Sequence, residues 1–280
     1  MTISRPTIGV FDSGFGGLTV LRALLPLIPD ADYIYLGDTA RLPYGSKSQQ
    51  TIARYAVESA HFLVSKGAEM LVIACNTATA LALPEIIAAV PVPVVGVIEP
   101  GAKAALAASP LHPSLQSEGT AAAPRVLVLA TAATVQSAAY THALHKLGLE
   151  ATEKACPLLV PLVEEGWIDH TVTAQVLKIY LTEALAEAPH TSTLVLGCTH
   201  YPLLKPLIEQ LLIELDQSIR IVDAAQATAL AAAALLTNAA ETGTPTCTFY
   251  ATDSIEKFQR LGPHFLGQPL PQVNLLDLGG

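Results

Sequence analysis

Short apolar runs alternate with longer amphipathic segments along most of the chain. Each run is rich in valine, isoleucine and leucine and is too short for a helix, so it predicts a buried strand. We predict strands at residues 7–11, 33–38, 71–74, 92–97, 125–130, 193–197, 219–223 and 246–251, the last at a sheet edge. We predict helices at residues 18–25, 51–66, 77–90, 102–108, 135–147, 173–188, 202–215, 224–240 and 254–261, and a loop-like tail after them. Strands that alternate with helices are typical of an α/β fold with parallel sheets.

Two of the predicted strands end in a cysteine. Residues 71–77 have the sequence LVIACNT and residues 195–200 the sequence VLGCTH, so Cys75 and Cys198 each lie between a strand and a helix. Ligands of open α/β sheets bind at the carboxyl ends of the strands. We therefore expect two thiols, one from each half of the chain, that face each other across one cleft.

The strand pattern also starts again in the second half of the chain. The interval from Asp12, after the first strand, to Thr131, after the strand at 125–130, nearly equals the interval from Cys75 to Cys198. This agreement at two places indicates an internal duplication of one α/β unit.

Polar residues follow the first two strands. Asp12 and Ser13 lead into a turn with three glycines, which allow close approach of the backbone. Asp12 is either a cleft residue or a turn residue, and the turn matches neither GxGxxG nor GxxxxGK(S/T), which disfavours a nucleotide site. Residues 39–48 form a polar loop around a Pro-Tyr-Gly turn, longer than a plain connection needs, as is typical of functional loops.

Two further segments contain several prolines. Residues 156–167 are apolar with two prolines, which argue against a central strand or a helix interior. This segment either places Glu164 or Glu165 near the cleft or leaves both as a solvated pair at a helix end. Residues 109–124 contain three prolines and little periodicity, so we expect a surface loop there.

Composition narrows the class of protein. The chain has 280 residues, 51% of them hydrophobic, and a mean hydropathy of +0.45. It has no run of about 18 uninterrupted apolar residues and no apolar signal-peptide region, so we expect neither a membrane span nor a signal peptide. A net charge of −9 without a basic cluster argues against nucleic acid as a partner. The four cysteines form no CxxC pair, which favours reduced thiols in the cytoplasm.

Two thiols on opposite sides of a substrate suit the inversion of a carbon centre. One thiolate removes a proton from one face while the other thiol donates a proton to the opposite face, and the reverse reaction exchanges these roles. Backbone amides after Cys75 and Cys198 can stabilise the negative charge that forms beside a carboxylate. The alternative is that these cysteines only pack in the core. Their matched context favours chemistry, whereas we expect Cys156 and Cys247 to be structural, and His200 is a candidate to tune Cys198.

Six stretches carry a family resemblance. They are GVFDSGFGGL (9–18), GDTA (37–40), PYG (43–45), ACNTA (74–78), PLVE (161–164) and GCTHYP (197–202). With these stretches, spread over most of residues 8–225, the chain resembles the glutamate racemases, cofactor-independent enzymes of the aspartate/glutamate racemase superfamily. The resemblance implies interconversion of L- and D-glutamate without a cofactor or metal, with Cys75 acting on the D-isomer and Cys198 on the L-isomer.

The resemblance also implies roles for other residues. Asp12, Glu164 and His200 resemble the polar residues that assist the thiols. The implied substrate contacts are Asp12, Ser13, Pro43, Tyr44, Gly45, Asn76, Thr77, Thr131, Thr199 and His200. The implied biological role is the supply of D-glutamate for peptidoglycan in the cytoplasm, and we expect a homodimer.

The implied fold is a pair of similar three-layer, flavodoxin-like α/β lobes with mainly parallel sheets and the active site in the cleft between them. We expect the first lobe to comprise residues 1–99 and 210–280, and the second 100–209. Two departures from the family pattern stand out. Residues 109–124 are longer than the usual connection, and Ala130 replaces the glycine that usually precedes the threonine matching Thr131.

Other functions remain open at this point. Aspartate racemase, hydantoin racemase and arylmalonate decarboxylase share the cysteine at a strand end, but the decarboxylase keeps only one of the two. The glycine turn at 12–17 and the Pro-Tyr-Gly turn favour glutamate over aspartate. A non-catalytic, two-lobed carboxylate-binding protein is the alternative from a different class.

Overall fold

The structure is a computed structural model that describes residues 5–109, 123–236 and 244–278. It divides into two units. The first comprises the chain up to Val97 and again from Ala225, and the second comprises Ile98–Ala224. Each unit has its own parallel sheet with helices between the strands, which confirms the predicted class of two similar α/β lobes.

The strands alternate with helices, with two consecutive helices after β5 and after β6. The strands of the described residues are β1 (Thr7–Asp12), β2 (Asp32–Gly37), β3 (Met70–Ile73), β4 (Val94–Gly96), β5 (Arg125–Ala130), β6 (Glu150–Ala155), β7 (Thr191–Gly197), β8 (Arg220–Asp223), β9 (Cys247–Ala251) and β10 (Val273–Leu275). The helices of the same residues are α1 (Leu18–Leu27), α2 (Gln49–Ser65), α3 (Asn76–Ala89), α4 (Ile98–Ala108), α5 (Ala132–Ser137), α6 (Ala139–His145), α7 (Leu159–Glu164), α8 (Thr171–Glu187), α9 (Lys205–Glu214), α10 (Ala224–Ala233) and α11 (Ile255–Leu266). Among these helices, none is long and apolar enough to cross a membrane.

Four strands of the first sheet have the same order as the four strands of the second. The first sheet has the order β10-β9-β2-β1-β3-β4 and the second the order β6-β5-β7-β8, and all neighbours are parallel. Strands β2-β1-β3-β4 therefore correspond to β6-β5-β7-β8. Cys75 follows β3 and Cys198 follows β7, so the two cysteines occupy equivalent positions, as the duplication predicts.

The first unit has three layers. Leu36 of β2 lies in a buried cluster with residues of α2 and α3, whereas the adjacent Tyr35 packs against Phe258 of α11. Because neighbouring side chains of a strand point to opposite faces, helices cover both sides of this sheet. Full burial of one aliphatic side chain contributes about 1.5–3 kcal/mol, and the many such residues in β1 and β3 explain why these strands are central.

The second boundary between the units differs from the expected one. We expected the chain to return to the first lobe at residue 210, but β8 pairs with β7, with Leu194 opposite Ile221. The chain therefore returns only after Ala224. The chain passes from the first unit to the second after Val97, where we expected this boundary after residue 99.

Two expectations about strands were wrong, and one strand was missed. Strand β9 is not at an edge, because it pairs with both β2 and β10. The tail is not all loop, since it contains β10. Strand β6 was not predicted, because its charged sequence EATEKA hides the apolar pattern of an edge strand.

Other differences concern helices. The predicted helix at 135–147 is interrupted at Ala138, whose φ is 53°. Pro161 lies inside α7, contrary to expectation, but at the third helical position, where its missing N–H removes no bond within the helix. The predicted loop at 109–124 and the end of the predicted helix at 224–240 fall largely outside the described residues.

Candidate active site

The first strand ends at a buried carboxylate. Asp12 is the last residue of β1, is 1% exposed, and accepts a hydrogen bond at Oδ2 from the Gly14 N–H at 2.9 Å. The Tyr35 hydroxyl donates to the Gly14 carbonyl at 3.0 Å. A Cβ at Gly17 would lie 2.5 Å from the Asp12 Cβ and 2.9 Å from the Ala74 Cβ, so this approach requires glycine. The turn therefore fixes the carboxylate at the carboxyl edge of the sheet.

Cys75 lies beside this turn. Strands β1 and β3 are neighbours, with Phe11 paired to Ile73, so the residues after both strands emerge at the same edge. The Cys75 thiol donates to Ser13 Oγ at 3.5 Å, and Sγ accepts from the Ala78 N–H at 3.4 Å. Cys75 thus caps α3 in a position that serine or aspartate more often fills.

The surroundings of Cys75 favour the protonated thiol. Burial, followed by the charge of Asp12, raises the pKa of Cys75 to about 12. Hydrogen bonds with Ser13 and Ala78 lower this pKa without cancelling the increase. At neutral pH Cys75 therefore carries a proton that it can donate.

Asn76 and Thr77 form the first turn of α3 directly after Cys75, and both are buried. The first N–H groups of a helix have no carbonyl partner within the helix and attract anions. The first turn of α3 therefore has the properties of an anion-binding position.

The Tyr44 hydroxyl is engaged within the protein. Tyr44 is 2% exposed and donates to Oδ2 of Asp38. Pro43, by contrast, is exposed and Gly45 is half-buried. In this turn Pro43 and Gly45 are therefore accessible, whereas the Tyr44 hydroxyl is bound to Asp38.

In the second unit, Cys198 directly follows β7 and is 6% exposed. His200 Nδ1 lies 3.9 Å from Cys198 Sγ and 3.4 Å from Thr199 Oγ1. On the other side of the ring, Nε2 lies 3.3 Å from Oε1 of Glu164, at the end of α7. Glu165 is exposed. Glu164 is therefore the member of the acid pair that contacts His200, the histidine beside Cys198.

The charged form of His200 is stabilised despite its burial. Burial lowers the pKa of His200, but hydrogen bonds and charge interactions with Cys198 and Glu164 outweigh it and raise this pKa to about 10. An imidazolium donates at both nitrogens, so it can contact Cys198 and Glu164 together.

Thr131 lies at the same edge of the second sheet. Ala130 pairs with Gly197, so the residues after β5 and β7 are neighbours. Thr131 Oγ1 accepts from the Thr134 N–H at 3.3 Å and caps α5. Ala130 stands where the family usually has a glycine before this threonine. With alanine there, Thr131 still caps the helix that starts beside Cys198.

Residues 17–232 match the family model described as Asp/Glu/Hydantoin racemase. The chain belongs to this racemase family. It is 51% identical to a glutamate racemase of Koribacter versatilis, over 100% of both chains. Among solved structures, it resembles a glutamate racemase isoform of Bacillus anthracis with a TM-score of 0.86 and 34% identity, over 98% of both chains. It also resembles the Francisella tularensis glutamate racemase in complex with D-glutamate, with a TM-score of 0.83 and 33% identity, over 99% of both chains.

Membership of the racemase family makes this chain an isomerase. The remaining cysteines lack the matched context of Cys75 and Cys198, although Cys156 also directly follows a strand, β6. Cys156 is fully buried, and its carbonyl accepts from the Tyr201 hydroxyl at 3.1 Å. Cys247 lies within β9. Among the described residues, no three His, Cys, Asp or Glu side chains group closely enough to hold a metal ion.

In each unit the racemase-family fold gathers most of the predicted site residues at one sheet edge. Sequence reasoning missed Asp38 and Thr252, which bind residues of the 39–48 loop, and also missed the contact of Arg41, within this loop, with Asp38. Asp38 is the last residue of the strand predicted at 33–38, directly before the polar loop, and this position was a recognisable signal. The contact with Thr252 joins residues far apart in the chain, and local patterns carry no sign of it.

Proposed function

We propose that this chain interconverts L- and D-glutamate by two-base proton transfer at Cα, without a cofactor. One observation carries the proposal. Equivalent strands of the two units, β3 and β7, are each followed within two residues by a nearly buried cysteine with a polar partner beside it. Relatives that match this chain over nearly its full length are named glutamate racemases, which supports the choice of glutamate over aspartate or a hydantoin.

Racemisation needs a base on one face of Cα and an acid on the other. In the direction from L to D, the Cys198 thiolate takes the Cα proton and the Cys75 thiol gives its proton to the opposite face. In the reverse direction Cys75 removes the proton and Cys198 returns one. The raised pKa of Cys75, about 12, suits its role as proton donor to an intermediate formed from L-glutamate.

Polar neighbours assist each thiol. Two groups adjust proton transfer. One is Asp12, whose charge acts on Cys75. The other is His200, which lies between Glu164 and Cys198. The increase in negative charge at the substrate carboxylate needs stabilisation by fixed dipoles, which the start of α3 supplies. The proposed substrate contacts are the ten residues that the resemblance implies, from Asp12 to His200, with residues 43–45 acting through their backbone.

The proposal extends to the biological role. The product D-glutamate serves peptidoglycan synthesis in the cytoplasm, and the enzyme acts as a homodimer. Sedimentation velocity tests the assembly directly, and a monomer at micromolar concentration would refute it.

Incubation of the purified protein with L-glutamate in D₂O, without pyridoxal phosphate, tests the reaction. Appearance of D-glutamate with deuterium at Cα, followed by NMR and optical rotation, is the expected result. Inversion of aspartate alone would instead favour an aspartate racemase. A protein that binds glutamate without exchange or inversion, and keeps that binding after Cys75→Ser and Cys198→Ser, would be the non-catalytic binder.

A further inference from the structure

A buried carboxylate lies behind the loop that carries the Pro-Tyr-Gly turn. Asp38, directly after β2, is 0% exposed. The Arg41 Nε donates to both of its oxygens, at 2.8 and 3.0 Å, and the Tyr44 hydroxyl donates to Oδ2. The Thr252 hydroxyl donates to Oδ1 at 3.0 Å. Three side chains therefore converge on one carboxylate, and two of them belong to the loop.

Thr252 joins this loop to the segment after β9. Its Oγ1 donates to Asp38 and also accepts from the Ala40 N–H at 2.9 Å. The neighbouring pair is reciprocal: Thr39 Oγ1 donates to the Asp253 carbonyl and accepts from the Asp253 N–H at 2.9 Å. The register of β2 with β9, in which Gly37 is opposite Ala251, brings these residues together.

Arg41 anchors the other side of the loop. It is 7% exposed, forms an ion pair with Glu58 of α2, and lies with its guanidinium carbon 4.2 Å from the centre of the Tyr55 ring. Arginine fits this position because its planar group can bind carboxylates and cover an aromatic face at once. The loop is thus held from α2 and from the segment after β9.

We propose that Thr252, through Asp38, is a positioning residue that holds the backbone of residues 43–45 in its substrate-binding conformation. This inference rests on the proposed function, in which that backbone contacts glutamate. Thr252 lies outside residues 17–232, the part of the chain that matches the family model. Here, therefore, a residue beyond the matched region shapes the substrate loop.

The effect of losing this contact is specific. If the loop spends less time in the binding conformation, the apparent affinity for substrate falls by the same fraction. Thr252 does not act on the thiols, so proton transfer within the bound complex stays almost unchanged. The expected signature is a raised KM with little change in kcat.

The test compares three substitutions in the racemisation of L-glutamate. Thr252→Val keeps the shape of the side chain but removes the hydroxyl, and should raise KM about tenfold, as expected for a lost hydrogen bond to a charged group, with kcat within about twofold. Thr252→Ser keeps the hydroxyl and should restore a KM close to that of the unaltered enzyme. Thr248→Val, at an exposed threonine of β9, is the matched control and should change neither constant.

Hydrogen exchange separates this inference from the proposed function. In the absence of substrate, the amides of residues 39–48 should exchange faster by about tenfold in Thr252→Val than in Thr252→Ser or Thr248→Val. This readout holds even if the unaltered protein fails to racemise glutamate. Equal exchange in all variants, or a fall in kcat at constant KM, would overturn the positioning role. Thr252→Ala replaces the valine variant if that variant is insoluble.

Discussion

The Nε2 atom of His200 lies 3.3 Å from Oε1 of Glu164. This contact is one of the two that keep a buried imidazole charged, the other being with Cys198. Replacement of the carboxylate by an amide removes the charge while preserving the shape. We therefore expect Glu164→Gln to lower the pKa of His200 from about 10 toward ~6.5. Titration of the imidazole resonances by NMR measures this pKa.

The adjacent Glu165 provides the control for that measurement. It is exposed, so Glu165→Gln should leave the His200 titration unchanged. An identical His200 titration in Glu164→Gln and in the unaltered protein would show that Glu164 does not stabilise the imidazolium.

The same contact predicts how stability depends on pH. The pKa of His200 is raised in the folded protein, so its stabilising contribution is fully present below ~6.5 and is lost as the pH rises through about 10. Glu164→Gln should therefore reduce the free energy of unfolding most at pH 6 and least at pH 10. The difference is measured by urea denaturation at both pH values, for the unaltered protein and for the Glu164→Gln and Glu165→Gln variants. A larger loss at pH 10 than at pH 6 would contradict the assignment.

Asp12 should control the reactivity of Cys75. Its charge contributes to raising the pKa of this thiol, second to burial. Asp12→Asn should lower that pKa and speed alkylation of Cys75 by iodoacetamide at pH 8 several-fold, because the thiolate is the reactive form. Mass spectrometry of the Cys75 peptide gives the rate. Glu85→Gln, at an exposed position of α3, is the control, and equal rates for both variants would refute the effect of Asp12.

Gly17 should tolerate no side chain. A Cβ there would lie 2.5 Å from the Asp12 Cβ, so Gly17→Ala must displace the end of β1 and cost about 1–3 kcal/mol of the free energy of unfolding. At Gly14, in the same turn, a Cβ would meet Leu42 at 3.4 Å, which is an ordinary contact. Urea denaturation should therefore show a smaller loss for Gly14→Ala, and equal losses would argue against the close approach at Gly17.

Much of the site was predictable because its signals are local. An apolar run before Cys75, and again before Cys198, is enough to place each thiol at the end of a buried strand. Small polar residues after each cysteine mark the start of a helix or turn. These features depend on neighbours in the sequence, so a pattern of residue types reveals them.

The features that the sequence did not reveal depend on contacts between residues that are far apart in the chain. Strand β6 carries Glu153 and Lys154 and, among the described residues, is an edge strand of the second sheet, so its apolar pattern is weak. The position of β9 between β2 and β10 depends on partners that no local pattern specifies. For the same reason the contact of Thr252 with Asp38 emerged only from the structure.

The central claim is that Cys75 and Cys198 serve opposite faces of the same carbon. The most direct test is hydrogen exchange at Cα in D₂O. It is measured separately for L- and D-glutamate, in the Cys75→Ser and Cys198→Ser variants. We expect that neither variant racemises glutamate. Cys198→Ser, which keeps Cys75, should exchange the Cα proton of D-glutamate only. Cys75→Ser, which keeps Cys198, should exchange the Cα proton of L-glutamate only. Exchange of the same enantiomer by both variants, or racemisation at the unaltered rate by either, would contradict the account.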